Sequence, residues 1–549
     1  MHSSDIHAAW PIESPASRPG RNVKILIRAL CVVLPLALAL NVDISAPVTD
    51  GFHEGEYLAN VAVMDHYYST GQDFPVLIHG AMDYLPSLMS RQLADVNHII
   101  VWTRLINILF IAIAWIIWLD IATVALRTHP YRYAWHALYL VTFLWIFGVG
   151  DLDPLHKQQS FLSIRENFLL LSVWAGVRAS VADSKKWAEV LVFATGVFAG
   201  LALYWSYDRG VLAAIWILSL VVSLVFLRRR RDGMTLLFGY VVSLVCISRT
   251  RLFGTLSQNC ENIYYWIKQT RDVWFIPLKL KLQGIPGAIA MAAFAAGVVT
   301  YAIHTVMKSN KTAITPALVG LVSVQVLLLP KLYSQPGFPS NYYFIWPSLL
   351  LVILAPPKCD AAERLHSSLA RLIEPELAGR LTLTCEEKMS YAMAALFVVT
   401  LASNGIVMNT FMVRNSIRQV RRPASDASLL GDRRYLSGAA SSKQGACVFL
   451  WSNEGTFALS LQMPFCTRFP YAVYIAKAEE GAVLGELKRM PPAVVVYGSP
   501  HPWSMKISGR SMQDRLPQID QFIRENYEFH AEPSGYIFGT PRVPSLPKS

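Results

Sequence analysis

The chain has 549 residues, 53% of them hydrophobic and only 16% charged, with a formal charge of +12. A soluble chain of ordinary composition carries about a quarter charged residues, so this one is read as a membrane region with a smaller soluble part. The basic excess is scattered between apolar runs as Lys and Arg at helix ends, which sets topology and argues against a nucleic-acid partner.

At the N-terminus, Arg18, Arg21, Lys24 and Arg28 lead into the apolar run 25–42, and no small-residue cleavage site follows promptly. Residues 1–23 therefore read as a cytoplasmic tail and the first span as retained. A membrane span needs ~20 mostly apolar residues, with ~17 as a working minimum. Candidate spans are 24–43, 98–119, 134–150, 166–182, 187–206, 210–227, 234–248, 286–307, 313–330, 341–356 and 389–412, of which 166–182 and 234–248 are short. The predicted architecture is mostly α: a polytopic helical domain over 24–412 with about eleven spans. A linker rich in Arg, Ser and Ala over 413–443 leads to a small α/β soluble domain at 444–549. In that domain 446–451 and 493–497 read as buried strands, 471–489 and 512–526 as amphipathic helices, and 527–539 as a terminal strand pair.

Loop charge gives an orientation. With the N-terminus inside, the inner loops carry Arg127 and Arg132, Lys185 and Lys186, Arg228 to Arg231, and Lys308 and Lys311. The outer segments are then 44–97, 151–165, 207–209, 249–285, 331–340 and everything after 412. One outer loop, 249–285, is itself basic and rich in Tyr and Trp. It reads either as an interfacial anchor or as a site for a phosphate headgroup. Seven cysteines show no metal-ligand spacing, and Cys447 and Cys466, sharing the C-terminal domain, either form a disulfide or stand free.

The densest polar cluster follows the first span: Asp50-Gly51-Phe52-His53-Glu54-Gly55-Glu56. Carboxylates there serve as a general base or hold a metal; alternatively Asp50 caps a helix whose dipole Glu54 and Glu56 favour. His79-Gly80-Ala81-Met82-Asp83-Tyr84 is a second, weaker polar stretch. The next outer loop opens on Asp151 and Asp153 and closes on Arg165-Glu166, while Asp208-Arg209 stands at the outer end of another span. Charges beside membrane spans are costly and tend to be paired or functional.

This layout resembles the GT-C superfamily of polytopic glycosyltransferases: an acidic motif after the first span, an acidic pair in the next outer loop, and an outward C-terminal domain. The tail segments Val448-Phe449-Leu450-Trp451-Ser452-Asn453-Glu454-Gly455 and Thr467-Arg468-Phe469-Pro470 are similar to soluble tails of some bacterial members. Many members carry two adjacent acids in the first loop, whereas here Asp50 and Glu54 are three residues apart. The resemblance implies a bacterial inner-membrane enzyme, with the N-terminus cytoplasmic and the C-terminal domain periplasmic. It would take sugar from a polyprenyl-phosphate carrier and pass it to a glycan, lipid or protein acceptor. Asp50 or Glu54 is then the base, and His53 and Glu56 orient it or the acceptor. Asp151 and Asp153 contact the sugar or hold an optional divalent cation (Mg or Mn). Arg165 and Arg209 neutralise the departing phosphate.

Two other functions compete. A polysaccharide polymerase or ligase using lipid-diphosphate donors would employ the basic 249–285 loop. A transporter would place acids and helix breaks near the midplane, whereas the ionisable residues here cluster at span ends.

Overall fold

The structure is a computed structural model. It describes residues 55, 60, 64, 67, 74–77, 79–86, 88–89, 99–125, 164–250, 252–269, 296–297, 299–300, 302–303, 315–334, 346–354, 447–455, 457, 463–500, 505–507, 510–533 and 535–542. The membrane part contains α1 (Ile99–Ala125), α2 (Asn167–Ser180), α3 (Lys185–Trp205), α4 (Tyr207–Phe226), α5 (Arg230–Ser248), α6 (Leu256–Gln269), α7 (Thr315–Ser334) and α8 (Trp346–Leu354). Among the described residues α3, α4 and α5 are long and apolar enough to cross a membrane. They match the expected spans 187–206, 210–227 and 234–248 to within a few residues. The expected span 166–182 contains only the 14-residue α2, about 21 Å long against a hydrocarbon core of about 30 Å.

The turns between these helices follow from local chemistry. Ser206, in extended conformation, ends α3, and α4 starts at the next residue. At the other end of α4, Arg228 takes a left-handed φ of 61°. The N–H groups of Arg228 and Arg229 then close the helix on the carbonyls of Val225 and Leu224. The helices pack around Trp118, Trp216 and Trp346, with apolar residues from α1, α2, α4, α7 and α8.

The α3–α5 contact is the closest. A Cβ at Gly239 would lie 2.3 Å from the Phe193 carbonyl oxygen, and one at Gly196 would lie 2.1 Å from that of Leu236. Gly196 and Gly200 on α3 thus face Gly239 and Ser243 on α5 along a seam of small residues. Between membrane helices this spacing lets backbones meet where apolar side chains gain nothing over lipid.

The C-terminal domain holds β1 (Val448–Leu450), α9 (Glu480–Arg489), β2 (Val494–Gly498), β3 (Lys506–Ile507), β4 (Arg510–Ser511), α10 (Met512–Arg515), α11 (Pro517–Asn526), β5 (Tyr527–Ala531) and β6 (Ile537–Pro541). Its main sheet has the order β1-β2-β6-β5, with β1 parallel to β2 and the other pairs antiparallel. The apolar strands β1 and β2 are buried along their length, as covered parallel strands require. Cys447 and Cys466 form a disulfide beside β1.

Two predicted helices are corrected. Within 471–489 only α9 is α-helical, because the buried run from Tyr471 to Ala476 forms a short 3-10 turn in the core. The helix over 512–526 is split at Leu516, since Pro517 begins α11 and cannot continue the hydrogen bonding of α10.

The basic 249–285 loop also reads differently in its described part. Rather than lying as a bare anchor on lipid, α6 joins the membrane part to the C-terminal domain. Tyr265 and Trp266 pack against the domain core. Lys268 pairs with Glu479 at 2.7 Å, and Arg468 pairs with Glu261 at 2.9 Å and donates to the Tyr265 hydroxyl. Arg271, Lys279 and Lys281 lie outside the described residues.

The seam makes a signed prediction. Gly→Ala within a helix normally stabilises by about 0.5–1 kcal/mol, yet Gly239→Ala must separate two backbones. Gly239→Ala is expected to lower the thermal midpoint of the detergent-purified protein. Gly233→Ala, on the same helix with its nearest neighbour at 3.8 Å, should hold or raise it.

Candidate active site

The candidate site forms where the end of α3 and the starts of α2 and α4 meet. Its first component is the segment from His79 to Tyr84. Gly80 has φ 103°, and a Cβ there would lie 2.7 Å from the Tyr204 carbonyl oxygen and 2.9 Å from that of Trp205. Only glycine lets the chain adopt this conformation against the last carbonyls of α3. The Tyr207 N–H then donates to the His79 carbonyl at 2.9 Å, joining the segment to the first residue of α4.

Asp83, buried in the 3-10 turn Ala81–Asp83, accepts from the His79 backbone N–H at 2.9 Å and contacts His79 Nδ1 at 2.9 Å. On the far side of the ring, Arg165 Nη2 lies 3.0 Å from Nε2. A guanidinium can only donate, so Nε2 is the acceptor and Nδ1 carries the proton given to Asp83. Burial, and then the nearby Arg165 charge, push the His79 pKa below its ordinary value, so the ring is neutral at pH 7.

The second component is a buried ion cluster. Arg209 is 2% exposed and Glu166 is fully buried. The Arg209 guanidinium donates to Glu166 Oε1 through Nε at 2.5 Å, and through Nη1 to Asp208 Oδ2 at 2.6 Å. Asp208 also accepts from Ser206 Oγ at 2.7 Å and from the Arg209 N–H at 2.9 Å. Both carboxylates stand at helix starts, Glu166 before α2 and Asp208 in the first turn of α4, where the helix dipole favours negative charge. Because Glu166 adjoins Arg165 in the chain, the cluster fixes the backbone that presents Arg165, which is half-buried.

The segment leading into His79 also reaches the C-terminal domain. Asn262 donates to the Pro75 carbonyl and to the Tyr207 hydroxyl, each at 3.1 Å, and Val76 donates to the Arg468 carbonyl at 2.8 Å. Gly55, inside the acidic motif, is buried, and a Cβ at Gly455 of the tail would lie 2.4 Å from its carbonyl oxygen. The turn that carries Gly455 also holds Glu454, which accepts from Ser499 Oγ at 2.6 Å.

Of the residues given a role from the sequence, Arg165 and Arg209 are brought into this one site. Asp50, His53, Glu54, Glu56, Asp151 and Asp153 lie outside the described residues. No group of three or more metal-ligating side chains occurs among the described residues. His79, Asp83 and Glu166 were not ranked as site residues from sequence. The readable signal was a polar His-x-x-x-Asp spacing inside an apolar stretch.

No protein-family model and no curated protein matches the chain. Among solved structures it is similar to ArnT from Cupriavidus metallidurans bound to undecaprenyl phosphate. That likeness covers 96% of this chain and 99% of the other, at 13% identity and a TM-score of 0.47. The apo state of the same protein gives 94% and 97% coverage, 12% identity and a TM-score of 0.49. The apo Archaeoglobus fulgidus oligosaccharyltransferase gives 94% and 75% coverage, 12% identity and a TM-score of 0.46.

Two outcomes follow from the site. A buried neutral His79 with a lowered pKa makes the unfolded chain the stronger proton binder. Its contribution is full above about pH 6.5 and is lost as pH falls toward the lowered folded value. Thermal midpoints measured between pH 8 and pH 5 should therefore fall on acidification, and less steeply in His79→Gln. Separately, Arg209→Met strands two buried carboxylates and should cost about 3–5 kcal/mol, read by denaturation in detergent, with partial recovery on adding Glu166→Gln.

Proposed function

We propose that the chain is a membrane glycosyltransferase that moves a sugar from a polyprenyl-phosphate carrier to a cell-envelope glycan, lipid or protein. One observation carries this reading. A half-buried arginine, Arg165, is held by a neutral histidine at the ends of membrane helices, and the segments around it also join the C-terminal domain. Cationic hydrogen-bond donors fixed at a membrane boundary suit a lipid phosphate that becomes a leaving group there.

In the reaction, Asp50 or Glu54 takes the proton from an acceptor hydroxyl, and the freed oxygen attacks the anomeric carbon. The bond from that carbon to the phosphate oxygen breaks, and polyprenyl phosphate departs with the electron pair. Arg165 balances its charge, so the leaving group needs no proton. Arg209, held by two carboxylates, acts at one remove by positioning Arg165 through Glu166. His53 and Glu56 orient the base or the acceptor. Asp151 and Asp153 contact the sugar or hold a divalent cation.

The site faces the outside of a bacterial inner membrane. The Cys447–Cys466 disulfide supports this, since such bonds persist in oxidising compartments. The arginine run Arg228 to Arg231, at the opposite end of α4, fits the cytoplasmic side.

The test replaces Asp50 by Asn and Glu54 by Gln separately in the native host. One replacement should abolish sugar addition to a surface acceptor while membrane insertion persists and the lipid-linked donor accumulates. Full modification in both variants would remove the assignment of the base. Arg165→Ala is expected to lower turnover by about 10²–10³, measured with the purified protein and a polyprenyl-phosphate sugar.

A further inference from the structure

A small, partly open groove lies at the end of the bundle opposite the candidate site. Its walls are mostly apolar, including Ala179 of α2, Val192 of α3, Leu220 and Leu224 of α4 and Ala317 of α7, and Arg229 stands on its lining. Leu220 lies six residues before the end of α4, so the groove extends about 9 Å along the helix. That is more than half of one leaflet's hydrocarbon depth of about 15 Å.

The turn beside the groove carries four consecutive arginines. Arg229 pairs with Asp232 at 2.7 Å and Arg231 with Glu189 at 3.4 Å. Arg228 and Arg230 are exposed, and among the described residues neither has a carboxylate partner. Arg228 also occupies a left-handed position (φ 61°) that glycine fills at lower cost. A long cationic side chain thus stands where the backbone favours glycine. Trp187, 65% exposed at the same end of α3, suits the level of lipid headgroups.

We propose that this groove binds one anionic phospholipid, with an acyl chain between α2, α3, α4 and α7 and the phosphate on Arg228 and Arg230. Two uncompensated cations select negative charge, and the apolar walls select an amphiphile over free phosphate. The site lies at the far end of the helices from the proposed chemistry and does not depend on it.

The test uses the full chain in nanodiscs of equal phosphatidylglycerol and phosphatidylcholine, with retained lipid read by native mass spectrometry. One phosphatidylglycerol should stay bound. Near-surface arginines are worth about five-fold each, so the double variant Arg228→Gln, Arg230→Gln should lose roughly thirty-fold of that preference. Glycerol phosphate, the headgroup without a chain, should not displace the lipid. Arg228→Gly controls for folding: it should raise the thermal midpoint in neutral detergent while losing about half of the extra stabilisation that added phosphatidylglycerol confers. Unchanged preference in the double variant, displacement by glycerol phosphate, or equal retention of both lipids would each overturn the proposal.

Discussion

The guanidinium of Arg209, buried between Glu166 and Asp208, is the contact on which the membrane part depends. A charge removed from water is tolerated when its partners are close and their remaining lone pairs are occupied. Here the Ser206 hydroxyl and the Arg209 backbone N–H occupy those of Asp208. The cluster joins residues 43 apart in sequence, from Glu166 before α2 to Arg209 in the first turn of α4. It therefore sets where α2 begins and where the neighbouring Arg165 can reach. His79 completes the arrangement because Gly80 lets its segment lie against the end of α3.

The two ends of the helices differ in how charge is handled. At the His79 end, Glu166 and Asp208 are matched by Arg209 inside the protein, and Asp83 holds the His79 ring that meets Arg165. At the other end, Arg228 and Arg230 are left for an external partner. Between them, α3 and α5 meet backbone to backbone along Gly196, Gly200 and Gly239. The C-terminal domain is held to the membrane part through α6, Val76 and the close approach of Gly455 to Gly55.

Much of this was legible from apolar runs and charge placement. The runs at 187–206, 210–227 and 234–248 became α3, α4 and α5 because a helix satisfies every backbone group within a single apolar segment in lipid. The buried strands of the tail were readable as short apolar runs. The losses have physical causes. The run 166–182 was already short for a span, and its length does not reveal that the helix ends at Ser180. Pro517 was passed over because the amphipathic pattern continues across it. The aromatic, basic stretch of α6 carries the same residue types whether it meets lipid headgroups or the carboxylates of another domain. For the site, Arg165 and Arg209 could be named from their position at span ends. His79 and Asp83 gained meaning only when a distant arginine met the ring, a contact across 86 residues.

The most direct measurement follows the lipid product. Purified protein reconstituted in liposomes with a polyprenyl-phosphate sugar and a hydroxyl-bearing acceptor should release polyprenyl phosphate in step with glycosylated acceptor. Release should depend on Arg165 and on one acid of the first loop. Failure to turn over any monophosphate donor, with polyprenyl diphosphate released instead from a diphosphate-linked donor, would contradict the account and favour polymerase or ligase chemistry.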